Sequence, residues 1–117
     1  MAKYFETSDF ACRCGCGKNN TKSLLIQMWD EVREICGFPI KLNRGCSCEK
    51  HNKKVGGKDT SSHITGKAGD VKAVASRKRL KIIEAMLKVG FNRIGVGKTF
   101  IHGDIDKSKP QKVMWVY

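Results

Sequence analysis

Residues 61–70 read SSHITGKAGD and combine a turn with the start of a strand. The glycines and the alanine between His63 and Asp70 keep the turn free of bulk, so the backbone can bring these two side chains toward one point. From Asp70 onward the sequence reads DVKAV, which is typical of a short strand. This stretch therefore predicts a compact turn that presents an imidazole and a carboxylate together.

Two amphipathic helices are predicted on either side of this turn. Residues 21–37, TKSLLIQMWDEVREICG, carry apolar side chains at helical spacing, with Thr21 as N-cap and Gly37 as C-terminal stop. Residues 76–90, SRKRLKIIEAMLKVG, repeat the pattern between Ser76 and Gly90. The side chains expected to face inward from this second helix are Leu80, Ile83, Met86 and Leu87.

The remaining elements are short strands and one helical turn. FPIKLNRG, NRIGVG, TFIHGDI and KVMWVY read as strands, and CSCEKHNKKVGG reads as a helical turn closed by two glycines. The pattern predicts an α+β fold, with a small antiparallel sheet and two main helices. We expect one domain over residues 1–117, in which residues 1–20 form a Cys/Gly-rich loop region.

Composition narrows the class of protein. No apolar run approaches the roughly 20 residues of a membrane span, and the first residues lack the apolar core of a signal peptide. We therefore expect a soluble protein that is synthesised in the cytoplasm. The net charge of +12 indicates an anionic partner: nucleic acid, a membrane surface or an acidic polymer such as bacterial cell wall.

A catalytic zinc ion needs three nitrogen or oxygen ligands, an open position and a nearby carboxylate. His63, Asp70 and His102 supply such a ligand set, and strand alternation places His102, Asp104 and Asp106 on one face. A spare carboxylate beside the metal can act as general base. The alternative is that His63 caps a turn and that His102 is a half-buried strand histidine.

The stretch SSHITGKAGD also resembles the SxHxxGxAxD signature of the zinc D-alanyl-D-alanine carboxypeptidases and the related phage endolysins. HNKKVGG before it, GFNRIGVG and FIHGDID after it, and the terminal WVY are similar to the short, single-domain branch of that family. The resemblance covers most of the chain from Phe10 onward.

This resemblance implies a hedgehog-type fold and one Zn²⁺ ion held by His63, Asp70 and His102. It also implies hydrolysis of peptidoglycan stem peptides by zinc-activated water, helped by a carboxylate. In well-known members the base stands three residues before the second histidine, and here that position is Thr99. The HxD arrangement of the short branch makes Asp104 the first candidate for the base, and Asp106 the second.

A second departure lies in NRGCSC, residues 43–48. Relatives often carry an arginine where this chain has Ser47, and that arginine can stabilise an oxyanion or bind a substrate carboxylate. Arg44 is a candidate for this catalytic role from its own position, or else a solvated surface side chain. Ser61, the signature serine, either orients a ligand or substrate or caps the loop.

The candidates for substrate binding are Trp115, Tyr117 and Asp106. Trp115 and Tyr117 alternate on the last strand and therefore share one face. They line the substrate site or pack in the core.

The six cysteines fall into two groups and one isolated residue. Cys12, Cys14, Cys16, Cys46 and Cys48 are candidates for a second, structural Zn²⁺ site, since thiolates favour zinc and a small loop gains from a metal. Free buried thiols and a disulfide are the alternatives. Cys36 reads as core and His51 as structural.

Three functional hypotheses follow. The first is a zinc-dependent carboxypeptidase or endolysin-type endopeptidase that acts as a monomer on peptidoglycan after release from the cell, in a phage or prophage context. The second is a non-catalytic zinc module that binds a wall polymer or a protein partner. The third, a nucleic-acid-binding protein, is disfavoured because aromatic residues do not interleave with the basic ones.

Overall fold

The structure, a computed structural model, describes residues 3–117. It confirms the α+β class. A short 3₁₀ turn spans Thr7–Phe10, and the helices are α1 (Ser23–Cys36), α2 (Glu49–Lys54) and α3 (Ser76–Val89). The strands are β1 (Leu42–Arg44), β2 (Ala68–Lys72), β3 (Arg93–Val96), β4 (Phe100–Asp104) and β5 (Val113–Val116). None of the helices within residues 3–117 has the length and apolar character to cross a bilayer.

The five strands form one sheet in the order β1-β2-β4-β3-β5. The pairs β1/β2, β2/β4 and β3/β4 are antiparallel, as predicted, whereas β3/β5 is parallel. The chain reverses after β4 and reaches the far edge of β3, so β5 runs in the same direction as β3. The sheet is therefore mixed, and its last strand lies beside a strand that is not its neighbour in sequence.

Both main helices end where the sequence predicts but begin one residue from the predicted caps. Gly37 and Gly90 adopt left-handed backbone with φ of 72° and 114°, which a side chain would strain. The N-caps are Lys22 and Ala75, and neither caps the helix with its side chain. The predicted caps Thr21 and Ser76 were wrong by one position, because the sequence pattern does not fix the backbone of the residue that enters a helix.

The inward face of α3 also differs from the prediction. Met86 is buried and Ile83 is partly buried, but Leu80 and Leu87 are exposed. The buried side chains of this helix are Ile82, Ala85 and Met86. Because α3 packs against both α1 and β4, its buried stripe is set by two neighbours, which the periodicity of one helix cannot reveal.

Trp29 of α1 lies against the centre of the sheet and covers one of its two faces. Gly69 of β2 and Gly103 of β4 are paired, and a Cβ on either would lie within 2.8 Å of the Trp29 ring. Only glycine permits this approach. Since side chains alternate along a strand, the neighbours Asp70 and His102 point to the opposite face of the sheet.

Candidate metal centre

One row of residues crosses all five strands on the face away from α1. In order across the sheet, strand pairing aligns Arg44, Asp70, His102, Gly95 and Trp115. The missing side chain of Gly95 makes room for the indole, since a Cβ there would lie 2.7 Å from Trp115 Nε1. The sheet register thus brings together four candidate site residues from four different strands.

His63, which precedes β2, completes a cluster with Asp70 and His102. Asp70 Oδ1 lies 2.8 Å from His102 Nδ1 and 3.4 Å from His63 Nε2. One donor atom from each residue lies within 4.8 Å of the others. Both histidines are buried, and the Asp70 side chain is 13% exposed. The structure therefore brings together the three predicted zinc ligands.

The turn that places His63 depends on Gly66. Gly66 has φ of +71°, and a Cβ there would lie 2.2 Å from the Asn20 carbonyl oxygen. Its own carbonyl accepts a hydrogen bond from the Lys22 N–H at 2.9 Å. The glycine expected to relieve crowding in the turn thus meets two requirements, left-handed backbone and contact with the chain that enters α1.

Hydrogen bonds fix which nitrogen each histidine turns toward Asp70. His63 Nδ1 lies 2.7 Å from the Gly45 carbonyl oxygen, which can only accept, so Nδ1 carries the proton and Nε2 faces Asp70. His102 Nε2 lies 2.7 Å from Asp104 Oδ2, and Nδ1 faces Asp70. Each ring therefore has one nitrogen held by the protein and one directed at the centre of the cluster.

Asp70 and His102 shift each other's pKa toward the charged form. Burial would raise the pKa of Asp70, but hydrogen bonds and charge interactions with His102 and His63 hold it well below its usual range. Burial would lower the pKa of His102, but Asp104 and Asp70 raise it. The Asp70 carboxyl group therefore stays ionised, which is the form that can bind a metal cation.

Asp104, the first candidate for the general base, is fully engaged. Its Oδ2 faces His102 Nε2, and its Oδ1 accepts from Arg93 Nε at 2.7 Å. The side chain is 1% exposed. Burial would raise its pKa, but His102, the Asp106 N–H and Arg93 lower it. Its catalytic role stays a prediction, and the hydrogen bonds favour orientation of His102.

Asp106, the second candidate, lies beyond the end of β4. It is buried, its Oδ2 accepts from Ser62 Oγ at 2.9 Å, and its Oδ1 accepts from the Ser108 hydroxyl and N–H. Burial would raise its pKa, but hydrogen bonds from Ser108 and Ser62 lower it to about 2. These contacts give Asp106 a place in a loop network, and its role toward substrate stays a prediction.

An open groove of about 660 Å³ lies over the cluster. Trp115 and Tyr117 line it, with the Trp115 ring centre 5.4 Å from that of His102. Arg44 also lines it and is half-buried, with Nε donating to Ser47 and Nη2 to Asn52. Ser61 is part of the same wall and accepts a hydrogen bond from the His63 N–H.

Several residues of the site region were absent from the sequence prediction. Arg93 and Asn52 are buried and hold Asp104 and Arg44 respectively. Ser62 and Lys109 meet at the groove, where Lys109 Nζ donates to Ser62 Oγ at 2.8 Å. The sequence gives one weak indication for Arg93: it is the only charged residue of a strand whose other residues are apolar or glycine.

No cysteine among residues 3–117 lines this groove. Sulfur atoms of Cys12, Cys14, Cys16 and Cys48 converge, whereas Cys46 is buried and its Sγ donates to Asn20 Oδ1. Cys36 is partly buried against the core, and burial raises the pKa of its thiol. His51 lies on α2, and its N–H donates to Cys48 Sγ.

Comparison with known proteins gives one family. The model of the family described as Peptidase M15 matches residues 3–104, which include His63, Asp70 and His102. A search of curated proteins finds no match.

Proposed function

Because the chain belongs to the Peptidase M15 family, whose members are zinc-dependent, we propose that it hydrolyses peptide bonds in the stem peptides of bacterial peptidoglycan. His63, Asp70 and His102 are the proposed zinc ligands. The observation that carries the proposal is the convergence of their three donor atoms at the floor of an open groove.

The donor set fits a catalytic zinc ion. Two imidazole nitrogens and one carboxylate are ligands that zinc accepts, and three protein ligands leave a position for substrate or water. Each histidine also has the partner that fixes its ring, Gly45 O for His63 and Asp104 for His102. When bound, zinc supplies Lewis acidity and makes water a nucleophile near neutral pH.

The protein's own groups supply orientation and charge. Asp104 accepts a hydrogen bond from His102 Nε2 and is itself held by Arg93, so the ring presents Nδ1 toward Asp70. Thr99 stands where the family often has its base, and it cannot abstract a proton at neutral pH. The base therefore stays a prediction, with Asp104 as its first candidate and Asp106 as its second.

The groove suits an anionic peptide. Arg44, Lys58 and Lys109 line it, and the chain has a net charge of +12. Stem peptides end in a carboxylate, which cationic side chains bind by charge-assisted hydrogen bonds. Trp115 and Tyr117 provide an apolar wall for the small side chains of such a peptide.

The source proposed for the enzyme is a phage or prophage, with action on the wall as a monomer after release from the cell. The bond cut is at the stem terminus for a carboxypeptidase, and inside the stem or its cross-bridge for an endolysin. Mass spectrometry of muropeptides before and after treatment names the bond, because each alternative gives products of different mass.

The direct test uses protein loaded with zinc and incubated with purified sacculi and defined stem peptides. We expect release of new amino groups that stops when a chelator is added and returns with zinc. His63→Ala is the inactive control. Zinc-loaded protein that releases nothing from any of these substrates would refute the peptidase proposal.

A second candidate function is a non-catalytic zinc module that binds cell-wall polymer or a protein partner. The observation in its favour is that Thr99 occupies the usual base position while both oxygens of Asp104 are engaged. Sedimentation with sacculi in the absence of any product would support this alternative.

A further inference from the structure

We infer that Cys12, Cys14, Cys16 and Cys48 bind a second zinc ion, which is structural and fastens the loop before α1 to the N-terminus of α2. This site lies outside the proposed catalytic cluster and does not depend on the peptidase activity.

The four sulfur atoms have the spacing of a tetrahedral site. One Sγ from each residue lies within 4.8 Å of the other three, with 3.4 Å between Cys12 and Cys14 and 3.7 Å between Cys14 and Cys48. A Zn–S distance of about 2.3 Å in a tetrahedron places the sulfurs about 3.8 Å apart. One ion between them therefore meets all four at normal distances after small adjustments.

The backbone around the sulfurs is arranged to receive negative charge. The Cys48 N–H donates to Cys12 Sγ, and the His51 N–H donates to Cys48 Sγ, each at 3.3 Å. Two glycines, Gly15 and Gly17, have φ of 81° and 85° and let the CRCGCG segment coil back on itself. N–H groups directed at thiolate sulfur stabilise the deprotonated form that binds metal.

Cys46 is excluded by its surroundings. It is fully buried, its Sγ is occupied by Asn20, and its N–H donates to the Phe10 carbonyl at 2.8 Å. The five cysteines proposed from the sequence therefore reduce to a set of four. A closed set of four protein ligands is typical of structural rather than catalytic zinc.

The ligands come from segments that the regular structure does not join. Cys12, Cys14 and Cys16 lie in a loop without helix or strand, and Cys48 is the N-cap of α2. Two residues just before Cys48 contact His63 of the proposed catalytic cluster: the Gly45 carbonyl faces His63 Nδ1, and the Ser47 N–H donates to the His63 carbonyl at 3.0 Å. A metal at the cysteines therefore fixes the backbone that orients His63.

The test counts metal and identifies its ligands. Protein purified under reducing conditions with zinc is expected to contain two zinc ions per chain by elemental analysis. Cys14→Ser/Cys16→Ser is expected to contain one, and Cys36→Ser, which removes a thiol remote from the cluster, is the matched control and keeps two. If Cys14→Ser/Cys16→Ser contains as much zinc as the wild type, or if the wild type holds iron at this site, the inference is overturned.

A second measurement tests the site even if the cysteine variant does not fold. His63→Ala/His102→Ala keeps all six cysteines and loses the catalytic ligands, and we expect it to bind one Co²⁺ ion with the sulfur-to-cobalt charge-transfer absorption of a tetrahedral thiolate site. Zinc should also protect four of its thiols from alkylation. Absence of the thiolate absorption, or equal alkylation with and without zinc, would refute the site. Both readouts are independent of hydrolysis. An inactive wild-type protein, together with this absorption in the variant, would therefore refute only the peptidase proposal.

Discussion

The two clusters of candidate metal ligands in this protein are built in different ways. Asp70 and His102 are paired across two adjacent strands, and the Trp29 ring on the other face fixes the sheet beneath them. Three of the four clustered cysteines lie in a loop without regular structure, and Cys14 and Cys16 are exposed. The first cluster is preformed by the sheet, whereas the second lies in a loop held by turn and side-chain hydrogen bonds, such as those from Arg13 to Leu42 and from Lys18 to Ile64.

This difference separates what a metal does in each place. A preformed site needs little rearrangement to bind its ion, so ion binding adds little to the stability of the fold. Where the ion itself orders a loop, the free energy of ion binding adds to the free energy of folding. Removal of a ligand should therefore abolish activity at the sheet site and lower stability at the cysteine site. The following predictions test this contrast.

The largest expected effect is on activity at the sheet site. His63→Ala should reduce hydrolysis of stem peptides by about 10³-fold or more, because the activation of water by the metal is lost. The unfolding midpoint should change little, since the sheet and Trp29 hold the strands. Amino-group release and circular dichroism measure the two quantities on the same sample. His51→Ala, on α2, is the control and should keep activity.

The next effect is on stability at the cysteine site. Cys14→Ser/Cys16→Ser should lose about 3 kcal/mol or more and melt about 10 °C lower in the presence of zinc. Molecules that remain folded should keep measurable hydrolysis, because His63, Asp70 and His102 are unchanged. A variant that melts like wild type but has lost all activity would contradict the contrast between the two clusters.

A smaller effect is expected from Asp104→Asn. Because Asp104 orients His102 through Nε2, the substitution should weaken zinc binding at the sheet site by about 10- to 100-fold, as measured by competition with a chelator. Asp106→Asn is the matched control, since Asp106 accepts from Ser62 and Ser108 rather than from an imidazole. Unchanged zinc affinity with lost turnover would instead support Asp104 as the general base.

The sequence predicted those parts of the molecule that depend on local pattern. Helix ends at Gly37 and Gly90 follow from left-handed backbone, and the meeting of His63 with Asp70 follows from a turn of small residues. His102 was placed by alternation in one strand and by the resemblance. Each of these inferences needs only residues that lie close in sequence or a short motif.

The features that the sequence did not predict depend on contacts between segments that are distant in sequence. Nothing local shows that β5 pairs with β3, which places Trp115 over Gly95, or that α3 turns Leu80 outward. The engagement of Asp104 depends on Arg93 from a neighbouring strand. Exclusion of Cys46 depends on Asn20, which is 26 positions away. Spacing alone identifies candidate ligands, and the register of the sheet decides which of them have free atoms.

The smallest predicted effect concerns the other anchor of the N-terminal segment. Asp30 of α1 accepts hydrogen bonds from the backbone N–H groups of Lys3, Tyr4 and Phe5, at 2.9, 2.6 and 3.0 Å. Burial would raise the pKa of Asp30, but these three N–H groups lower it. Asp30→Asn should cost about 1–2 kcal/mol at neutral pH, measured by urea unfolding.

The pH dependence of that cost follows from the direction of the shift. A lowered pKa in the folded state means that the carboxylate stabilises the protein fully above its unfolded pKa of about 3.9, and that the contribution disappears as pH falls through the folded pKa. The difference between wild type and Asp30→Asn should therefore shrink in acid. Glu34→Gln, at an exposed pair with Lys3, should cost about 0.5 kcal/mol or less. An equal cost of Asp30→Asn at neutral and acid pH would mean that side-chain shape, rather than the carboxylate charge, holds this segment against α1.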